Sequence, residues 1–383
     1  MLNKIFKIKD SIDVYVVDTE TPDKVLLTFH RMTTRERTEI ITSRTVAEFL
    51  ALLDGETDTK TLLNKIGFFD ENQAVQLIHY LMQERFIIDI QNEQAIDNRY
   101  KRQIAFFDDM LPKRSGEDTQ SIISKKKIII LGCGAVGSHI AETLVRAGVL
   151  NLTLVDYKPV SLNCLSRHLF TRLNDIGHSK VSVLKKYLES INHSINVRIF
   201  DEQLLPYTDL NNWIDDDTDL IINTCDEPYI GHTSLKVGRF AHSKKIPIYI
   251  SGGFDAHLMS SGELINPPHT PCIDCVQKTF NIALKDWKPT YSNVINDISI
   301  VAQQHNHQDI QSNDQESYIV GGAGGSAFMS GFSSYLSCMT ILRFLAEDKF
   351  YQYQTIRYEY LPNSGEMTEF EMNKQGNCNV CNR

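Results

Sequence analysis

The sequence predicts an α/β protein: a mostly parallel, doubly wound sheet with an antiparallel extension, preceded by a small winged-helix-like domain. Three observations support this. Residues 125–156 read as strand, glycine-rich turn, helix, strand and acid. Apolar strands and amphipathic helices alternate again between residues 196 and 254. The first 95 residues follow a different rhythm, strands then helices then a closing strand. Alternation of the first two kinds builds parallel sheets with helices on their faces. A chain of 383 residues has room for two domains, here residues 1–95 and 96–383.

In the first 95 residues, IDVYVVD (12–18) and KVLLTFHRM (24–32) are strand-like, rich in β-branched and aromatic residues around a TPD turn. Val46, Phe49, Leu50 and Leu53 recur at one helical face, with Gly55 as terminator and Thr57 or Asp58 as the next cap. Gln73–Arg85 form another amphipathic helix with Val75, Leu77, Ile78, Leu81 and Met82 inward, and FIIDI (86–90) closes as a strand. Winged helices often bind DNA. This one has 11 Lys/Arg against 16 Asp/Glu and no basic recognition helix, which argues against nucleic acid. NRYKRQ (98–103) then sets Arg99 and Arg102 around an aromatic residue. It is either a solvated basic linker or a phosphate clamp, since guanidinium binds phosphate in a bidentate fork. The polar stretch 108–124 reads as a surface loop.

KKKIIIL (125–131) is the first strand of the larger domain. Gly132-Cys133-Gly134-Ala135-Val136-Gly137 follows, then a helical stretch from His139 and a second strand, LTLVD, ending at Asp156. This is the order of a Rossmann-like mononucleotide-binding unit. The three glycines serve a tight turn, close phosphate approach and helix–strand packing, and the helix N-terminus receives a phosphate. Beyond it, Arg167 and Lys180 are the notable charges, Lys180 opening a helix behind Gly177. Most such charges simply face solvent. VRIFDEQL (197–204), DLIINTCDEP (219–228) and IPIYISGGF (246–254) are further strands. Asp226, just past the second of them, sits either at the ligand crevice or as a helix cap.

Residues 254–275 are hairpin-like. Residues 281–316 are polar and read as a loop, where His305 and His307 lack metal partners at sensible spacing. Residues 320–347 begin Gly/Ser-rich and continue as an apolar helix, whose small residues suit close packing at a subunit interface or beneath a nucleotide. Two strands, 353–362 and 365–373, follow. Four of the eight cysteines form two CxxC pairs, Cys272/Cys275 and Cys378/Cys381. Four thiolates saturate a tetrahedral zinc ion and leave no open position, so the predicted zinc is structural. A net charge of −9 disfavours binding to nucleic acid or a membrane surface. No apolar run of membrane-spanning length and no signal-peptide h-region is found, which gives a cytoplasmic expectation.

As an ordered set, RYxRQ, GxGxxG, the acid after the second strand, LxR, GxxK, the acid after a later strand and the two CxxC pairs resemble the E1-like adenylyltransferase family. That is the ThiF, MoeB and ubiquitin-activating fold, and the resemblance spans roughly residues 96–383. It implies ATP with Mg²⁺ as the nucleotide. Gly132, Gly134 and Gly137 would line the phosphate turn, Asp156 would bind the ribose, Arg167 and Lys180 would hold the triphosphate, and Asp226 would hold Mg²⁺. Arg102 would reach across a homodimer into the partner's site. One departure stands out: the family's Asn-Leu-x-Arg is here Cys164-Leu165-Ser166-Arg167, with Asn163 one residue early and able to replace the nucleotide-binding Asn only if the loop shifts.

NRYKRQ, ILGCGAVGSH, TPCIDCVQK and NCNVC are most similar to the branch of the family that matures microcin-like and pantocin-like peptides. FLALLDGETDTKTLLNKI resembles the small peptide-clamp domains that bind a leader peptide as an added strand. The implied reaction is adenylyl transfer to a carboxylate or C-terminal amide residue of a ribosomally made precursor peptide, with pyrophosphate released. Two alternatives stay open. One is activation of a ubiquitin-like sulfur carrier, against which the absence of cysteine in 281–316 counts. The other is a catalytically silent leader-presenting module, against which Arg102, Asp156, Arg167, Lys180 and Asp226 count. For residues 1–95 a packing or dimerisation role is the further alternative.

Overall fold

A computed structural model describes residues 1–67, 70–90, 98–111, 114–227, 230–251, 259–283, 325–346 and 355–381. They form two compact units, Met1–Ile123 and Ser124–Arg383.

In the first unit, β1 (Ile5–Ile8) lies between β5 (Asp54–Asp58) and β6 (Ile87–Asp89), antiparallel to both. β2 (Ile12–Asp18), β3 (Lys24–Arg31) and β4 (Arg37–Ser43) form an antiparallel meander. Strict alternation in β3 buries Val25, Leu27 and Phe29. These join Phe49 and Leu50 of α1 (Arg44–Ala51), Leu62 and Leu63 of α2 (Thr59–Ile66) and Ile78 and Leu81 of α3 (Glu71–Gln83) in one core. Asp58 caps α2, accepting from the Thr61 N–H at 3.0 Å. Gly55 does not end α1, which stops at Ala51. It sits in β5 at φ +80° instead. DGETD has no strand-like pattern of its own, and only pairing with β1 makes it a strand.

The stretch predicted as a loop at 108–124 is largely helical, ending α4 (Lys101–Met110) and forming most of α5 (Gly116–Lys125). Its polar side chains find partners inside the unit. Asp109, 2% exposed, accepts from the Ser11 and Thr33 hydroxyls at 2.8 Å each. Asp108 pairs with Lys9 at 2.5 Å and Arg85 at 2.6 Å, and accepts from the Gly116 N–H at 2.7 Å. These bonds tie α4 into the first compact unit, which runs to Ile123.

The second unit is built on a six-stranded sheet. β7 (Lys127–Leu131), β8 (Asn151–Val155), β9 (Asn196–Phe200), β10 (Leu220–Asn223) and β11 (Ile248–Ile250) run parallel. β13 (Glu263–Ile265) extends the sheet antiparallel to β11. The strand order is β13-β11-β10-β7-β8-β9. The chain therefore leaves β7 on one side toward β8 and returns on the other as β10. A crevice opens at such a reversal, at the carboxyl ends of the two strands. β12 (Met259–Ser260), β14 (Ile356–Leu361) and β15 (Glu366–Glu371) form a separate antiparallel sheet. It is tied to β13 through Arg357, which is buried and reaches Glu263 at 3.3 Å and Ser260 at 3.0 Å.

Among the helices, α6 (Ala135–Arg146) follows β7, α7 (Lys180–Ile191) precedes β9, α8 (Ile230–Lys244) follows β10, and α9 (Ile273–Ala283) follows β13. The small residues of α10 (Ala327–Leu345) let it lie against α6, where the Ser334 hydroxyl donates to the Val136 carbonyl at 3.1 Å. His305 and His307, with residues 284–316 of the polar stretch, lie outside the described residues.

Candidate active site

The loops leaving β7, β8 and β10 enclose a cavity of about 390 Å³. Its floor is the glycine-rich turn, and each glycine there has its own reason. Gly132 leaves β7 at φ +90°, which side chains rarely adopt, while its N–H donates to the Val155 carbonyl at 2.8 Å. Gly137 lies in the first turn of α6, where a Cβ would fall 2.0 Å from the Gly132 carbonyl oxygen. Any larger residue would push α6 off the strand. Gly134 caps α6, and open space stands where its Cβ would be. All three line the cavity, and the N-terminus of α6 gives this wall a partial positive charge suited to phosphate.

Asp156 locks the turn in place. One carboxylate oxygen accepts from the Cys133 N–H and the other from the Lys158 N–H, both at 2.8 Å. Each oxygen keeps a lone pair for a ligand hydroxyl.

Arg167 and Lys180 line the same cavity. Arg167 is half-buried at the end of a 3-10 turn, Leu162–Ser166. Lys180 is the first residue of α7 and only 8% exposed, not the solvent-facing charge that is the usual fate of a lysine. Neither forms an ion pair among the described residues. Burying an ammonium without a carboxylate is costly, so the pair favours an anionic ligand.

Opposite them stand Asp226 and Glu227. Asp226 is open to solvent, yet the protein crowded around it pushes its carboxyl up, against the pull of Lys158 and Lys180. Glu227 differs. Desolvation raises it too, but Lys158 and the Tyr157 hydroxyl bond to it and the net shift is downward. Tyr157 is correspondingly pushed up to about 12 by burial and by Glu227.

The predicted residues Gly132, Gly134, Gly137, Asp156, Arg167, Lys180 and Asp226 are thus brought to one cavity. Asn163 is exposed and does not line it. Cys164 is buried, with its sulfur 3.4 Å from the Ser161 N–H that donates to it. Arg102 is exposed on α4 of the first unit. Tyr157, Lys158, His168 and Glu227 were not foreseen as cavity residues. Lys158 and Glu227 flank predicted residues in sequence, but their pairing spans 69 residues and has no local signature.

Cys272, Cys275, Cys378 and Cys381 converge with their sulfurs all within 4.8 Å of one another. The Cys272–Cys378 and Cys275–Cys381 separations are 3.6 Å each. That is far too long for disulfides and close to the ~3.8 Å between sulfurs that Zn–S bonds of about 2.3 Å impose on a tetrahedron. Gln375 and Cys381 donate backbone N–H bonds to two of the sulfurs. The four residues fit zinc.

Residues 100–380 match the model of the ThiF family. Over 215 residues the chain is 29% identical to the molybdopterin-synthase adenylyltransferase of Haemophilus influenzae, covering 50% of this chain and 84% of that protein. Over 100 residues it is 35% identical to tRNA threonylcarbamoyladenosine dehydratase 2 of Saccharomyces cerevisiae, covering 26% of this chain. It spans only 21% of the yeast protein's length. In fold it is similar to Escherichia coli MccB bound to ATP, with a TM-score of 0.68, 16% identity and 99% of both chains covered. It is also similar to the microcin C7 biosynthetic enzyme MccB in complex with N-formylated MccA, with a TM-score of 0.67, 16% identity, and 98% of this chain and 99% of that one covered.

Proposed function

The chain belongs to the ThiF family, and from that premise we propose that it is an ATP-dependent adenylyltransferase acting on a ribosomally made precursor peptide. The observation that carries the reading is the pairing of two cations that form no ion pair among the described residues, Arg167 and Lys180, with the glycine turn and Asp156 around one cavity. Asp156 takes the ribose hydroxyls. The N-terminus of α6 receives the phosphates, and Arg167 and Lys180 neutralise the charge that builds on them. A carboxylate oxygen of the peptide attacks the α-phosphorus and forms the new P–O bond. The bond from that phosphorus to the bridging oxygen breaks, and pyrophosphate leaves. The result is an acyl adenylate, and the protein supplies no nucleophile for this step. Asp226 offers a hard carboxylate oxygen beside Glu227, a fit for Mg²⁺, which when bound would neutralise phosphate charge.

Adenylyltransferase relatives support the chemistry, and the likeness to MccB, which extends over the first unit, supports a peptide substrate. We assign that unit the role of the peptide clamp. Edge strand β2 exposes Tyr15, Val16 and Val17, an apolar edge open to strand addition. A cytoplasmic homodimer, with Arg102 reaching the partner's cavity, completes the reading. The second reading, activation of a ubiquitin-like sulfur carrier, is favoured by the 84% coverage of the Haemophilus enzyme.

Pyrophosphate release is the test. Release that depends on a small precursor peptide with a free carboxylate supports the first reading, and release that depends on a ubiquitin-like carrier protein supports the second. No release with either substrate would sink both. In mixtures of Arg102→Ala and Lys180→Ala protomers, activity should recover above that of either variant alone.

A further inference from the structure

His168 is 4% exposed and lines the nucleotide cavity beside Arg167. Its Nδ1 is fully buried without a hydrogen-bond partner among the described residues. Polar groups in that condition are rare and ask for a ligand or a reason. The backbone holds the residue in place. Its N–H donates to the Cys164 carbonyl at 2.7 Å, and its own carbonyl accepts from the Thr171 hydroxyl at 2.9 Å. The ring stacks on Phe170, with centroids 5.6 Å apart and planes 14° apart. The imidazole is therefore a fixed group, not a side chain that turns to find water.

The groups that act on it electrostatically come from three elements: Arg167 on its own turn, Lys180 on α7 and His139 on α6. No carboxylate of the described residues is among them. Burial and these neighbours keep the ring uncharged down to about pH 3. A neutral imidazole carries one N–H and one lone pair. His168, Arg167 and Lys180 line one cavity, so an anion held by the two cations would share that cavity with the ring's N–H.

We propose that His168 is a third polyphosphate ligand of the cavity, donating from its ring to the anion that Arg167 and Lys180 neutralise. This rests on the nucleotide reading above. It adds a neutral donor whose contribution is to recognise phosphate rather than to balance its charge.

The test compares wild type, His168→Leu and His168→Gln by calorimetric binding of three probes: ATP with Mg²⁺, inorganic tripolyphosphate and adenosine. Leucine removes the donor at similar bulk, and glutamine restores a side-chain N–H. Loss of one hydrogen bond to a charged group corresponds to about tenfold or more in affinity. His168→Leu should lose about that for ATP and tripolyphosphate and nothing for adenosine, and His168→Gln should recover most of it. Equal binding of the phosphate probes by wild type and His168→Leu overturns the inference, as does an equal loss for adenosine, which marks a packing role. If His168→Leu does not fold, His168→Gln decides alone. Affinity for the phosphate probes within a few fold of wild type supports the proposal, and a loss as large for adenosine as for tripolyphosphate overturns it. A wild-type protein that binds neither ATP nor tripolyphosphate overturns the nucleotide reading itself, and this inference with it.

Discussion

The nucleotide cavity and the four-cysteine cluster are both assembled from residues far apart in the chain, yet they are completed differently. In the cluster every ligand faces the other three, and backbone N–H groups of Gln375 and Cys381 occupy sulfur lone pairs. In the cavity, Arg167 and Lys180 have no ion pair among the described residues, one nitrogen of His168 has no partner, and the Asp226 carboxyl is pushed up by crowding. A site that fastens the chain satisfies its groups internally. A site that binds, reacts and releases keeps groups unsatisfied until its ligand arrives, and the surrounding core bears that cost.

Metal removal is the strongest way to break this contrast. Structural zinc in small domains has an apparent binding free energy of roughly 10–16 kcal/mol, so even partial coupling to the whole fold is large. Chelation under reducing conditions should release one zinc per chain and lower Tm by about 10 °C. Elemental analysis that finds no zinc, with an unchanged Tm, would remove the structural role. Cavity substitutions should do the opposite. Lys180→Ala and Asp226→Ala are expected to cut pyrophosphate release by about 10²–10³-fold while Tm changes little. Retained turnover in Asp226→Ala would remove its proposed metal role, and a collapse of Tm in Lys180→Ala would mean that the cation holds the fold.

The unsatisfied state should also be visible in acid. His168 titrates near 3 in the folded chain against an ordinary 6.5, so the unfolded chain binds the proton first. Above about pH 6.5 the residue is neutral in both states and contributes no pH dependence. As pH falls from there toward 3, stability falls, by up to about 1.4 kcal/mol per unit. Wild type should therefore lose Tm more steeply than His168→Gln between pH 6.5 and 4.5, and parallel curves would mean that the ring is not held neutral. The smallest effect is expected at the edge strand of the first unit. Val16 is 51% exposed, so Val16→Lys should leave folding intact and weaken precursor-peptide binding by about tenfold. Unchanged peptide affinity would move the clamp away from β2.

Legibility differed between these regions for physical reasons. The glycine turn and Asp156 were readable because a tight strand–turn–helix unit constrains neighbours in sequence. The four-cysteine cluster was readable because two CxxC pairs fit one tetrahedron. Harder to read were elements whose shape comes from partners. DGETD is a strand only because it pairs with β1, and the polar segment after Asp108 is helical while Asp108 and Asp109 meet Lys9, Arg85, Ser11 and Thr33. Asn163 was expected to replace the missing family asparagine only if the loop shifts, and the 3-10 turn that buries Cys164 holds it exposed and off the cavity lining.

The resemblance to the adenylyltransferase family supplied the roles expected of Arg167, Lys180 and Asp226, and spacing in the sequence determined the doubly wound sheet, the glycine turn with its acid and the fourfold thiol site. Each of these is set by backbone geometry over a few residues or by the valence of one ion. Tertiary structure alone decided that Lys180 is buried rather than solvated, that Lys158 and Glu227 pair beside the cavity they both line, and that His168 lines it with an Nδ1 that has no partner among the described residues. Those facts depend on which loops the reversal of strand order beside β7 brings together. Burial and charge proximity are properties of that meeting, which no single segment carries.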